Sequence, residues 1–255
     1  MDKVKLLFFI CLFFIPIFSQ AEHSFKKDYI IGVQNFEQYL PYSQFANGRY
    51  RGFNKKLLDL FAKSKGYKFV YQAYPVKRLY KSFLDKKVDF KYPDNPYWNA
   101  DLKINSNITY SQKVVEYIDG VMVIPKNKNR DISKLKNLAV VAGFTPFPYF
   151  TYIKEDKIKV MEFFEYKKML DMGLRHRVDG VYSNIAVTQY YLREVLNQED
   201  RLIFDENLPY IKSHRYLSTI KYPDIIEEFN TFLKKYKHRI DTLKRNYNIH
   251  DYDNF

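Results

Sequence analysis

The sequence predicts an α/β protein made of two Rossmann-like lobes joined by two crossing strands, and three observations carry that prediction. First, Gly66 to Trp98 reads as strand, loop, helix, strand and loop in one βαβ unit. Second, its closing segment, Lys87-Val88-Asp89-Phe90-Lys91-Tyr92-Pro93-Asp94, has a counterpart in Arg177-Val178-Asp179-Gly180-Val181-Tyr182-Ser183-Asn184. Both follow a helical stretch, so two lobes share one plan. Third, Tyr117 to Ile124 and His214 to Ile220 are strand-like runs placed where a chain would leave one lobe and return.

Each element follows from local pattern. Tyr29-Ile30-Ile31-Gly32-Val33 is a buried-type strand, and the loop QNFEQYLPYSQFANGRY concentrates aromatic residues between turn formers, as one wall of a binding site would. Phe53 to Lys65 carries Phe53, Leu57, Leu58 and Phe61 at helical spacing, and Gly66 ends that helix. Tyr67 to Tyr71 is the next strand. Val76, Leu79, Tyr80, Phe83 and Leu84 mark a helix, Val88 to Phe90 a short strand, and Lys91 to Trp98 a loop. A right-handed crossover would bring Tyr74, Arg78 and that loop to one crevice, beyond the carboxyl ends of the strands.

The second series begins at Leu138 to Gly143. In Gly143-Phe144-Thr145-Pro146 the pattern predicts a strand-to-helix turn with Thr145 as N-cap, whose free N–H groups would face an anion. A helix over Lys167 to Arg175, a strand at Arg201 to Phe204, a helix from Pro223 and a basic helix to about Tyr247 complete the chain. The expected limits are residues 22–118 and 209–255 for lobe one and 119–208 for lobe two.

Composition bounds the function. The 255 residues include 42 Lys and Arg against 29 Asp and Glu, a formal charge of +13. The basic excess is spread over the chain without a dense stripe or a nucleic-acid-binding module, so a solvated surface is expected and nucleic acid is not. The start, MDKVK, the apolar run Leu6 to Phe18 and the exit Ser19-Gln20-Ala21 predict a cleaved signal peptide over residues 1–21 and release into a bacterial periplasm. The single cysteine, Cys11, lies inside that run, so the mature chain would hold no disulfide. There is no GxSxG, P-loop or HExxH, and the five histidines are too scattered to suggest a metal site. No cofactor, metal or catalytic group is expected. Asp89 and Asp179, at equivalent helix-to-strand junctions, read better as structural residues than as an acid–base pair.

Several local patterns resemble the family 3 extracellular solute-binding proteins, the type II periplasmic binding proteins that serve amino-acid ABC transporters. The resemblance spans about Tyr29 to Asn246. It is carried by Leu40-Pro41-Tyr42, Gly52-Phe53, the Pro75-to-Arg78 loop, Tyr110-Ser111, Gly143-Phe144-Thr145 and the two Val-Asp pairs. It implies a monomer that captures a small polar solute, amino-acid-like or related, for a transporter permease. A membrane sensor is a second destination, and the same fold also supports periplasmic dehydratases. Family members that hold α-amino acids typically use an arginine after the lobe-one Val-Asp strand and an aspartate after the lobe-two strand. Here those regions read PDNPYWNADLKINSN, without arginine, and Asn184. An ordinary α-amino acid ligand therefore lacks its two charge-assisted contacts.

The expected ligand-binding residues are Tyr39, Tyr42, Tyr74, Arg78, Asp94, Trp98, Phe144, Thr145, Tyr182 and Asn184. Arg78 is either a ligand clamp or a residue pairing across its loop. Trp98 either stacks on the ligand or covers an apolar edge, and Asn184 is a helix cap, a ligand contact or both. Asp94, Asp101 and Glu37 are the carboxylates that an enzyme on this fold would have at hand. N-terminal sequencing of the exported protein is expected to begin at Glu22; a start at Met1 or a lipid on Cys11 would refute the leader assignment.

Overall fold

The computed structural model describes residues 27–249, so the predicted leader lies outside the described residues. In chain order the strands and helices are β1 (Lys27–Gln34), β2 (Gln44–Ala46), β3 (Arg49–Arg51), α1 (Phe53–Lys65), β4 (Tyr67–Tyr74), α2 (Val76–Leu84), β5 (Phe90–Asp94), α3 (Ala100–Lys103), β6 (Thr109–Tyr110) and β7 (Val115–Val123). The chain continues through β8 (Asn137–Val141), α4 (Phe150–Lys154), β9 (Lys159–Phe163), α5 (Tyr166–Leu174), β10 (Gly180–Asn184), α6 (Ile185–Tyr190), β11 (Ile203–Phe204), β12 (Ile211–Thr219), α7 (Pro223–Lys235) and α8 (Lys237–Asn246). A single π turn, Tyr191–Val195, extends α6.

One sheet runs through both lobes in the order β4-β1-β5-β12-β7-β10-β8-β9. On one side β1 is flanked in parallel by β4 and β5; on the other, β8 is flanked in parallel by β9 and β10. Each trio meets one long antiparallel strand, β12 against β5 and β7 against β10. The halves thus repeat one plan. The long strands pair with each other, Val115–Asp119 against Arg215–Ile211, and this two-stranded ribbon joins the lobes.

The paired Val-Asp motifs have a shared cause. Asp89 lies just before β5, and its Oδ2 accepts the N–H of Ile30 in β1 at 2.8 Å. Asp179 lies just before β10, and its Oδ2 accepts the N–H of Asn137 in β8 at 2.8 Å and that of Lys136 at 2.9 Å. In both lobes a carboxylate completes the donor ladder of the first strand before regular pairing begins. Asp89 also meets the Lys221 ammonium at 2.8 Å, which ties the start of α7 to the same junction.

Apolar faces close the layers. Leu57, Leu58 and Phe61 of α1 and Ile226 and Phe229 of α7 are inaccessible to solvent. The Phe61 ring stands 5.0 Å from Phe229 and 5.4 Å from Phe232. Burying each such side chain contributes about 1.5–3 kcal/mol. Gly66 ends α1 in the left-handed conformation, as its position predicts.

Two local expectations are corrected. Lys91 to Asp94 continues β5 as fully buried strand, and only the residues beyond it form the loop. Thr145 does not cap a helix: Pro146 and Pro148 each lack the N–H that a regular turn needs, so a 3-10 turn over Phe147–Tyr149 intervenes before the five-residue α4. The predicted anion-binding helix start is therefore absent there.

Replacing Asp89 or Asp179 by alanine leaves a strand donor unpaired. Each change is expected to cost about 1.5–3 kcal/mol in urea unfolding. Equal costs at both sites would reflect the repeated plan; a change under about 0.5 kcal/mol at either would refute it.

Candidate functional site

The carboxyl ends of the parallel strands face one another across the crevice between lobes. Gln34 ends β1, the loop bearing Trp98 follows β5, Gly143 to Thr145 follow β8, and Tyr182 lies in β10. Together with Tyr39, Val76, Tyr80 and Asp119, these residues line a small, partly open cavity. Its internal volume is about 30 Å³, room for about two water molecules. Beyond Val76 the crevice widens into an outer groove of about 620 Å³ between Asn35–Gln38 and Phe164–Lys167.

Contacts across the crevice hold the lobes together. Phe144 meets Phe36 at 5.8 Å and Tyr39 at 6.2 Å, both edge-on, and Tyr39 meets Tyr166 at 5.5 Å. Asn99 donates to the Gly143 carbonyl at 3.3 Å, and Lys77 pairs with Glu162 at 3.0 Å on the exposed rim. Gly143 has φ of +89°, and a Cβ there would stand 3.0 Å from Val76 of the opposite lobe. Glycine thus permits both the turn and the close approach.

Strand alternation explains what the ribbon presents. Tyr117 and Asp119 share a face of β7, and their cross-strand positions put Ser213 and Arg215 of β12 on that same face. Trp98 Nε1 donates to the Tyr117 hydroxyl at 2.9 Å and Asn95 Nδ2 to Ser213 Oγ at 3.0 Å, which ties the post-β5 loop to it. Asp119 is the one acidic side chain of the cavity lining. Burial lifts its carboxyl to about 6, although the hydrogen bond from Asn184 Nδ2, 2.9 Å, and the charge of Arg215 pull it down. Arg215 is 1% exposed and does not line the cavity. Its guanidinium lies 3.6 Å from the Tyr42 ring centre, with Tyr117 at 5.5 Å and Tyr39 at 5.6 Å. Aromatic faces attract it, while Nε and Nη1 have no hydrogen-bond partner among the described residues.

Beneath Trp98 and Tyr80 lies a second buried charge group. Asp94 Oδ1 accepts from Lys91 Nζ at 2.8 Å and Lys103 Nζ at 2.9 Å, while Oδ2 accepts from Ser218 at 2.7 Å. Burial pushes the Lys91 ammonium down to about 8 despite Asp94. Burial opposes the Asp94 charge as well, yet the two lysines hold its carboxyl below the usual range. This cluster pins the loop that carries Trp98.

The structure brings Tyr39, Trp98, Phe144, Thr145 and Tyr182 to the cavity wall. Other expected contacts lie elsewhere. Tyr42 is fully buried behind the wall, against Arg215. Tyr74 ends β4 and donates to Gln72, and Arg78 is exposed on α2 beside the Tyr74 ring, because Val76, Leu79 and Tyr80 take the inward face. Asp94 is consumed by its lysines. Asn184 is fully buried; its side chain caps α6 through the Val187 N–H and holds Asp119, so it positions the cavity carboxylate instead of lining the cavity. Glu37 and Asp101 are exposed. Asp119, Gln34 and Tyr80 were missed. A lone carboxylate within the apolar run Tyr117–Ile124 was the available signal for Asp119.

No family model and no curated protein matches the sequence. Solved structures match the fold. A mutant of ArgBP from T. maritima has a TM-score of 0.70 at 18% identity, with 88% of this chain and 96% of that one covered. An arginine 3rd transport system periplasmic binding protein from Legionella pneumophila gives 0.68 at 15%, with 86% and 99% covered. The ancestral amino acid-binding protein AncCDT-1, a precursor of cyclohexadienyl dehydratase, gives 0.67 at 19%, with 86% and 95% covered. The fold is that of the type II periplasmic binding proteins.

Asp119 also sets a pH dependence. Its folded value, about 6, lies above that of an unfolded aspartate, so the folded state binds more protons between about pH 4 and 6 and loses stability as pH rises through that window. Asp119→Asn is expected to remove this decline and raise the melting temperature of the ligand-free protein at pH 7. An unchanged pH profile would show that the carboxylate is not strained.

Proposed function

We propose that this chain is a periplasmic solute-binding protein that captures a small polar, amino-acid-like or related solute between its lobes and passes it to an ABC transporter. One observation carries the proposal: both lobes and the connecting ribbon contribute to a single small cavity with room for about two waters. A solute of amino-acid size enters only if the lobes part. Closure over it would be hinged at β7 and β12, with lobe limits near residues 118 and 209. The contacts that hold the crevice shut are a few aromatic edges, the Asn99 hydrogen bond to the Gly143 carbonyl, the close approach of Gly143 to Val76 and one exposed ion pair worth about 0–1 kcal/mol, so no buried charge pair has to be broken on opening. The similar Legionella protein is a periplasmic binding protein of an arginine transport system, which agrees with this role and location.

A second reading is an acid–base enzyme on the same fold. It is favoured by Asp119, a cavity carboxyl lifted to about 6, in the range that suits proton transfer. Reversible binding without consumption of the solute separates the two.

Trp98 is the sole tryptophan of the chain and lies in the cavity wall, so its emission reports the site directly. A screen of polar metabolites is expected to find a ligand that shifts Trp98 emission, compacts the protein in small-angle scattering and, at 100 times its dissociation constant, stabilises it by about 2.7 kcal/mol. A stabilising ligand that leaves Trp98 emission and the scattering curve unchanged would place the site elsewhere.

A further inference from the structure

We infer that the solute is a small organic cation bearing N–H donors, a primary ammonium or guanidinium, and that it needs no carboxylate. The inference rests on the cleft being a solute site and narrows what that site accepts. The cavity offers one carboxylate, neutral polar groups and ring faces, and no cationic side chain lines it. Asp119 is its one formal charge. Gln34, also in the wall and 6% exposed, has an Oε1 that is shut off from solvent and has no hydrogen-bond partner among the described residues, an acceptor short of a donor. Tyr39, Tyr80, Trp98, Phe144 and Tyr182 surround them, and their negative π faces favour a cation.

The cations that could hold a carboxylate are each turned away or engaged. Arg215 is stacked on Tyr42 behind Tyr39. Lys91 and Lys103 share Asp94 behind Tyr80. Lys77 pairs with Glu162 on the rim, and Arg78 lies on the outer face of α2. A carboxylate in the cavity would find neutral donors but no cation, with the charge of Asp119 against it. An ammonium would replace the water that Asp119 loses on burial and, with the Gln34 amide turned toward it, would pair the Gln34 oxygen as well.

The groups that act on Asp119 are Asn184 of β10, which donates to it, Arg215 of β12, and the tyrosines Tyr39, Tyr117, Tyr166 and Tyr182, whose hydroxyls burial keeps neutral. Since Asp119 is the one of these that ionises near neutrality, affinity for a cation should fall as pH drops through about 6, approaching tenfold per unit well below it.

Two matched pairs test this in calorimetry and Trp98 fluorescence: agmatine against arginine, and cadaverine against lysine, each pair differing by the carboxylate, with choline as a cation lacking N–H. At least one of the decarboxylated members is expected to bind at least tenfold tighter than its amino acid and than choline. That affinity is expected to weaken below pH 6 in the unmodified protein and to drop at least thirtyfold in Asp119→Asn. Arginine, lysine or a neutral amino acid binding tighter than the amines overturns the inference and leaves the solute-binding role intact; so does tight amine binding that ignores both pH and Asp119→Asn. Failure of every solute in the broader screen, these included, overturns the inference together with that role.

Discussion

The antiparallel pairing of β7 with β12 is the constraint on which the rest of this molecule depends. Among the described residues it is the sole sheet connection between two α/β halves of the same plan, and its register decides which side chains stand at the junction. Because side chains alternate with period two, one register puts Tyr117, Asp119, Ser213 and Arg215 on a common face. A slip of one residue would send Asp119 into the apolar layer and present Ile118 and Gly120 to the cleft. The apolar neighbours in β7 oppose such a slip, since Ile118, Val121 and Met122 are inaccessible to solvent in the observed register.

Tyrosine is the chain's chief means of managing charge in this region. Twenty-four tyrosines give the sequence an aromatic content that composition alone could not assign to core, surface or site. Around the cleft they do two distinct jobs. Tyr182 faces the cavity, Tyr42 and Tyr117 flank the Arg215 guanidinium where hydrogen-bond acceptors are lacking, and Tyr39 serves on both sides. Tyr80 does both, lining the cavity while its ring lies 4.3 Å from the Lys91 ammonium.

Much of the fold was legible because periodicity survives in a single sequence. Phe53–Lys65 matches its predicted span, and the βαβ stretch opens and closes near the predicted residues, since buried faces there repeat every three to four or every two positions. The wall of the candidate cavity was legible at strand ends and in the aromatic loop after β1: Trp98, Phe144, Thr145 and Tyr182 follow from the rule that ligands meet the carboxyl ends of parallel strands, and Tyr39 from that loop. Arg78 was misplaced because charge was weighed above helix phase. Asp119 and Arg215 escaped because each is one charged residue in a strand that reads as core. What single-sequence pattern does not carry is register between distant strands, and register is what joins position 119 to 215.

The place of Asp119 on the ribbon gives the crevice a mechanical gradient. It pairs with Ile211 at the end of the β7–β12 ladder and with Asn184 at the start of the β7–β10 ladder, so it lies close to the axis about which the lobes would turn. Near a pivot, displacement is small for any rotation; at the rim, where Lys77 faces Glu162, the lever arm is long and the same rotation carries side chains through many times that distance. A solute arriving in an open crevice would therefore find its charged anchor already in position. The aromatic walls would then swing onto it, so that recognition is ordered in time from the fulcrum outward.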